Sequence, residues 1–214
     1  MIVMTSKPER LTEAVTQLID NVLLPDNYSS QHTSLVYRPV LLETENFAGF
    51  CLVRNLSPDG MMGSVYTQFA ENQSVTVQFR PDHVVKAKIC WSKEGQIGIR
   101  FHEKIDVSCT LRKLSDQFTG ARVNRAPRVH IECDGELVLD GRSIPISLLD
   151  ISQRGIKVRV SFIKPGDEVL VRLPGLEQRN SIVRWTQNGL AGLNFVRTIA
   201  FEQLATWVIA RQSQ

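Results

Sequence analysis

The sequence predicts a mainly β protein in which one unit of six short strands plus a closing helix occurs twice. Three observations carry this. Short runs rich in Val, Ile and aromatic residues alternate with Gly, Pro, Asn and Asp along most of the 214 residues, the pattern of an all-β barrel or sandwich. Helical spacing of apolar residues is confined to three stretches. The order of events also repeats: Asn55 to Asp150 is 95 residues, Val75 to Val169 is 94, Trp91 to Trp185 is 94, and Gly98-Ile99-Arg100-Phe101 to Gly192-Leu193-Asn194-Phe195 is 94. A register held this long marks an internal repeat.

The first element is a helix within residues 1–27. Ser6-Lys7-Pro8-Glu9 reads as a capping box, and Leu11, Ala14, Val15, Leu18, Ile19 and Val22 follow at helical spacing up to about Pro25. Its apolar stripe suits either its own domain or a partner helix. Strands follow at about 34–43, 47–55, 61–67, 73–80, 83–92 and 96–101. A helix from Asp106 to Phe118, N-capped by Asp106 and ended by Gly120, closes the first unit, 28–119. The second unit, 120–214, repeats the order with strands at about 127–136, 142–151, 156–162, 168–174, 177–187 and 190–196 and a helix at about 199–211.

Composition bounds the chemistry. A hydrophobic content of 43% supports a packed core. The net charge of +3 is too small for wrapping nucleic acid, so neither DNA nor RNA is an expected partner. Without an eighteen-residue apolar run or a signal-peptide core, no membrane insertion and a cytoplasmic location are expected. Cys51, Cys90, Cys109 and Cys133 form no Cys-x-x-Cys and have no clustered histidines, so they read as small packed side chains and no metal is expected. No nucleophile motif, isolated carboxylate pair or phosphate-cradling glycine loop is present, which argues against an enzyme.

One stretch concentrates chemistry. Arg122-Val123-Asn124-Arg125-Ala126-Pro127-Arg128 holds three arginines and no acid, leaving its guanidiniums available for an anion or a guanine edge. About 22 residues on, Asp150-Ile151-Ser152-Gln153-Arg154-Gly155 supplies a carboxylate, a hydroxyl and a glycine that allows close backbone approach. The plainer readings are a solvated linker for the arginines and, for Asp150 and its counterpart Asn55, a side chain bonded to its own turn with the glycine at positive φ. Asp/Asn-x-Ser-x-x-Gly alone arises in about one chain in ten of this length. The upstream copy, Asn55-Leu56-Ser57-Pro58-Asp59-Gly60, strengthens it.

These residues resemble the PilZ domain, a small β-barrel that binds the bacterial messenger cyclic di-GMP and carries Arg-x-x-x-Arg followed by Asp/Asn-x-Ser-x-x-Gly. Arg128 matches the second arginine, and Asp150, Ser152 and Gly155 match the later motif; Asn124 stands where the first arginine belongs, with Arg125 or Arg122 as substitutes. The resemblance implies two tandem six-stranded PilZ-like barrels with flanking helices. It further implies that Arg125 and Arg128 fold over the ligand while Asp150, Ser152 and Gly155 hold a base, with Arg122 and Arg154 adding charge. In the first unit Asn55, Ser57 and Gly60 form a degenerate motif whose nearest arginine, Arg38, aligns with Arg128 by its Arg-Pro-Val context. Trp91 and Trp185 read as packing residues, with base stacking open for Trp185.

The function implied is a non-enzymatic cyclic di-GMP receptor without a cofactor. Its ligand loop is also the joint between domains, so binding would reorient them and act on a downstream protein effector that the sequence does not identify. The competing expectation is a ligand-blind interaction adaptor, favoured by Asn124. Homo-oligomerisation through either terminal helix stays open.

Overall fold

The computed structural model describes residues 34–115 and 126–213. The expected N-terminal helix and the segment holding Arg122, Asn124 and Arg125 lie outside the described residues.

Strands β1 (Ser34–Thr44), β2 (Phe47–Ser57), β3 (Gly60–Ser64), β4 (Ser74–Arg80), β5 (His83–Lys93) and β6 (Gln96–Phe101) close into one antiparallel barrel in the order β1-β2-β3-β6-β5-β4. Strands β7 (Val129–Leu139), β8 (Arg142–Ser152), β9 (Gly155–Arg159), β10 (Glu168–Arg172), β11 (Arg179–Gln187) and β12 (Leu190–Phe195) close the second in the same order, β7-β8-β9-β12-β11-β10. Closure leaves no unpaired edge. Helices α1 (Val107–Ser115) and α2 (Phe201–Gln212) each follow a barrel. Asp106 caps α1 as expected, its carboxylate accepting from the Cys109 amide at 2.8 Å.

Alternation along the strands builds the cores. In the first barrel Val53, Leu56, Met61, Val75, Val77, Ile89, Ile97 and Ile99 point inward and are almost wholly buried; Leu148, Ile151, Ile156, Val169, Val171, Val183, Ala191 and Leu193 do the same in the second. Each pair of counterparts is 94 or 95 residues apart, so the sequence repeat is a repeat of core positions. Cys51 is fully buried, and Cys90, Cys109 and Cys133 are half-buried, all four as free thiols.

Matching bulges interrupt both barrels. Pairing slips between Val53 and Asn55 and between Ile89 and Trp91 in the first, and between Leu148 and Asp150 and between Val183 and Trp185 in the second. An extra residue bends its strand and re-aims the next side chain. Leu148 and Ile151 therefore both enter the core while Asp150 between them faces outward.

Both barrels lie in one compact unit, Thr33–Gln214, and α2 joins them. It buries Leu204, Ala205, Trp207 and Val208 against the second barrel. Its first residue, Phe201, meets Phe50 of β2 and Tyr66 with ring centroids 6.1 Å apart in each case. At its other end the Gln212 amide accepts from Ala48 N at 3.2 Å and donates to Ala48 O at 2.5 Å. Leu41 and Phe50 belong to the same buried cluster as the second barrel's core.

Candidate functional site

The bulge at Leu149 and the pairing register assemble a row on the outer face of the second barrel. Asp150 lies opposite Lys157, Lys157 opposite Gly192, and Gly192 opposite Trp185, across β8, β9, β12 and β11. Core residues Ile156 and Val158 flank Lys157, and Ala191 and Leu193 flank Gly192, so both positions face away from the core. Gly192 has no side chain because the Trp185 indole lies across it: a Cβ there would overlap the ring. Trp185 is nevertheless 40% exposed. Neither it nor Trp91, which covers Gly98 in the same way, belongs to a barrel core, so the packing expectation holds only for the face turned to the glycine.

Above the row is an open cavity of about 610 Å³, lined by Ala126, Arg128, Asp150, Ser152, Arg154, Lys157, Arg184, Trp185, Gly192, Leu193 and Asn194. Four of these are cations and one is a carboxylate. Arg128 Nη1 donates to Asp150 Oδ1 at 2.6 Å, with Asp150 only 6% exposed. The other three cationic groups, on Arg154, Lys157 and Arg184, have no ion pair with a described residue. Once Arg128 and Asp150 neutralise each other, the wall keeps an excess of three positive charges, a field suited to a ligand bearing more than one anionic group.

The motif residues divide by task. Ser152 is buried, and its hydroxyl donates to Gly155 O at 3.1 Å and accepts from the Arg154 amide at 3.4 Å. Ser57 makes the same bond to Gly60 O at 3.1 Å in the first barrel. The Ser152 hydroxyl, a cavity-lining group, thus staples its own turn. Gly155 and Gly60 are not at positive φ, contrary to the plainer turn reading. Each is required by close strand approach, since a Cβ would overlap the carbonyl oxygen of Leu193 or Ile99. Asp150 bonds a side chain 22 residues away rather than its own turn.

The turn is also tied to the end of β12 and to the segment that leads into α2. Phe195 N donates to Arg154 O and Ile199 N to Gln153 O, both at 2.9 Å, and Gln153 Nε2 returns a bond to Ile199 O at 3.1 Å. The first barrel repeats the backbone pair, from Phe101 to Asp59 and from Ile105 to Pro58, each at 2.9 Å.

Of the expected site residues, the structure brings Arg128, Asp150, Ser152, Arg154 and Gly155 together; Arg122 and Arg125 lie outside the described residues. The expected alignment of Arg38 with Arg128 is wrong. Arg38 faces Val53 and Cys133 faces Leu148, so Cys133 is the counterpart of Arg38, and counting the same register back from Arg128 reaches Thr33. The similar starts Arg38-Pro39-Val40 and Arg128-Val129 misled because they lie 90 residues apart, off the 95-residue register of the paired strands. Asn55, Ser57 and Gly60 sit as their counterparts do, but Arg54 beside them bonds Ser64 Oγ at 3.0 Å and covers the Tyr37 ring at 5.0 Å. Sequence reasoning missed Lys157 and Arg184, which read as ordinary outward strand positions. A position-by-position comparison of the repeats would have shown Lys157 replacing Met62.

Among the described residues no group of three or more His, Cys, Asp or Glu is placed to hold a metal ion, and no helix is long and apolar enough to cross a membrane.

Solved structures similar to the chain include the Borreliella burgdorferi PlzA protein in complex with c-di-GMP, at 12% identity and TM-score 0.35 over 84% of this chain and 88% of that one. The Bacillus subtilis inhibitor of motility MotI/DgrA gives 18% identity and TM-score 0.33 over 84% and 98%. YcgR from Escherichia coli in complex with c-di-GMP gives 11% and 0.32 over 81% and 83%. No curated protein matches the sequence. The PilZ domain profile matches twice, over residues 34–117 and 122–210, one match to each barrel, and the chain therefore belongs to the PilZ domain family.

Proposed function

We propose that the chain is a non-enzymatic receptor for cyclic di-GMP, that the second barrel holds the ligand, and that binding changes the arrangement of the two barrels and so regulates a downstream protein. One observation carries the reading: the cationic cavity beside Trp185 combines phosphate-binding charge, a flat aromatic face and the Asp150 carboxylate on one wall. Its size falls within the range of about 300–1,000 Å³ common for small-ligand sites. Arginine forks suit phosphodiester oxygens, an exposed indole suits a purine face, and a carboxylate accepts from guanine N–H groups. Arg128, Asp150 and Arg154 are the described motif residues assigned to the ligand; Arg122 and Arg125 are proposed to join them. Ser152 and Gly155 hold the turn in shape.

The conformational part has a physical route. The turn carrying Arg154 is hydrogen-bonded to Ile199, and Phe201, two residues on, is the aromatic contact with Phe50 and Tyr66 of the first barrel. A ligand that moves the turn acts on that contact through a short chain of bonds. A charge-assisted contact contributes roughly 1.5–3 kcal/mol, so two or three offset the ordering of a short arginine loop.

Calorimetric titration with cyclic di-GMP tests the binding, with Arg128→Ala expected to lose most of the affinity. Binding unaffected by that substitution places the site elsewhere. Small-angle scattering with and without saturating ligand tests the rearrangement; identical curves refute that part alone. The ligand-blind adaptor reading rests on Asn124 in place of the first motif arginine, and the absence of heat in the same titration would favour it.

A further inference from the structure

The repeat isolates one chemical difference that the family motif does not contain. The row Asp150, Lys157, Gly192, Trp185 corresponds in the first barrel to Asn55, Met62, Gly98, Trp91, with the same pairing partners throughout. The glycine and the tryptophan are kept. Asn becomes Asp with little change of shape, but Met becomes Lys, which puts a full positive charge on a stem of similar length. Lys157 lines the cavity, is half-buried as a residue, and has no hydrogen bond or ion pair with a described residue, since Asp150 across the ladder bonds Arg128 instead. An ammonium on a cavity wall without a counter-ion attracts an anionic ligand.

We propose that Lys157 determines affinity by holding an anionic group of the ligand against the barrel wall, a phosphodiester oxygen if the receptor reading on which this rests is right. Arg128 approaches from the segment before β7 and Lys157 from the barrel wall, so the ligand's anionic part is gripped from two sides. Lysine serves here as a point charge with three donors rather than a planar fork.

The test is calorimetric titration of the full chain with cyclic di-GMP at low and physiological salt, comparing wild type with K157M, K157R and R159M. Methionine is the residue the first barrel carries at this place, so K157M is expected to fold, which its thermal melt confirms. Arg159 shares the outward face of β9 and is exposed, but it lies outside the cavity, so R159M removes an equal charge without touching the site. The expected result is a loss of about tenfold or more for K157M with a shallower salt dependence, near-wild-type affinity for K157R, and at most a twofold change for R159M. Wild-type affinity in K157M, or an equal loss in R159M, overturns the role of Lys157 while leaving the receptor reading intact. No binding by wild type overturns both.

Discussion

The pair between Arg128 and Asp150 is expected to stabilise the second barrel before any ligand arrives, and a double-mutant cycle measures by how much. Asp150 is 6% exposed and accepts from Arg128 at 2.6 Å, whereas the Arg128 side chain is 31% exposed. A hydrogen bond between charged groups contributes roughly 1.5–3 kcal/mol. With one partner a third open to water the lower end applies. Arg128→Ala strands a nearly buried carboxylate and is expected to cost about 2 kcal/mol, while Asp150→Asn, which installs the first barrel's residue, is expected to cost about 1.5 kcal/mol. Once one partner is gone the second has less to lose, so the double variant is expected to cost about 2 kcal/mol, a coupling of roughly 1.5 kcal/mol. Urea unfolding of the four proteins followed by circular dichroism gives these values, and thermal melts are expected to fall by about 2–4 °C per kcal/mol. A coupling below about 0.3 kcal/mol, within the range of plain additivity, would show that the pair is a surface contact and that Asp150 is not held by Arg128.

Gly155→Ala is expected to destabilise by about 2–3 kcal/mol because its Cβ meets the Leu193 carbonyl across a closed ladder. Gly141→Ala, with open space around it but φ +77°, is expected to lose only about 1 kcal/mol, and the reverse order in urea unfolding would contradict this account of the motif glycine. Phe162 is 96% exposed at φ 68°, a conformation that costs a non-glycine residue about 1–2 kcal/mol and that asparagine tolerates better; Phe162→Asn is expected to raise the melting temperature by a few degrees, and an unchanged melt counts against strain there. Burial pushes the Cys51 thiol far above its ordinary range. The unfolded chain ionises this thiol near pH ~8.5 while the folded chain keeps it protonated, so stability is whole below that pH and falls above it by up to about 1.4 kcal/mol per unit. Cys51→Ala is expected to flatten the alkaline decline measured by unfolding between pH 8 and 10, and an unaltered slope would show that Cys51 does not cause it.

Much of the architecture was legible because both sequence signals that encode it are local. Inward Val, Ile and Leu at alternate positions mark strands, and their recurrence at 94–95 residues marks a duplicated barrel; Asp106 announced the start of α1 through its side-chain chemistry alone. The site was less legible. Asp150 and Arg128 could be named, yet their direct bond depends on the bulge at Leu149, which strand periodicity does not reveal. Lys157 and Arg184 look like solvated strand positions until the register sets them beside Trp185. The mistaken match of Arg38 to Arg128 has the same origin: two short similar contexts, Arg-Pro-Val and Arg-Val, outweighed a pairing register that only the folded ladder displays.

The same register explains why a single fold carries the motif twice with unequal chemistry. Ser57 with Gly60 and Ser152 with Gly155 solve one mechanical problem, a tight turn whose second strand crowds its neighbour, and any copy of the barrel must solve it. Asp150, Lys157 and Arg128 solve no such problem, since the first barrel closes with Asn55 and Met62 in the first two places and with Thr33 at the sequence position of the third. A duplicated barrel can therefore lose or gain the charged set without unfolding. The second barrel keeps one nearly buried carboxylate paired with Arg128 and three further cationic groups on the cavity wall without a counter-charge among the described residues. On the receptor function proposed above, an anionic ligand would relieve the cations but compete with Asp150 for Arg128, and the proposed coupling to the first barrel would run through the turn bonded to Ile199 and the contact of Phe201 with Phe50.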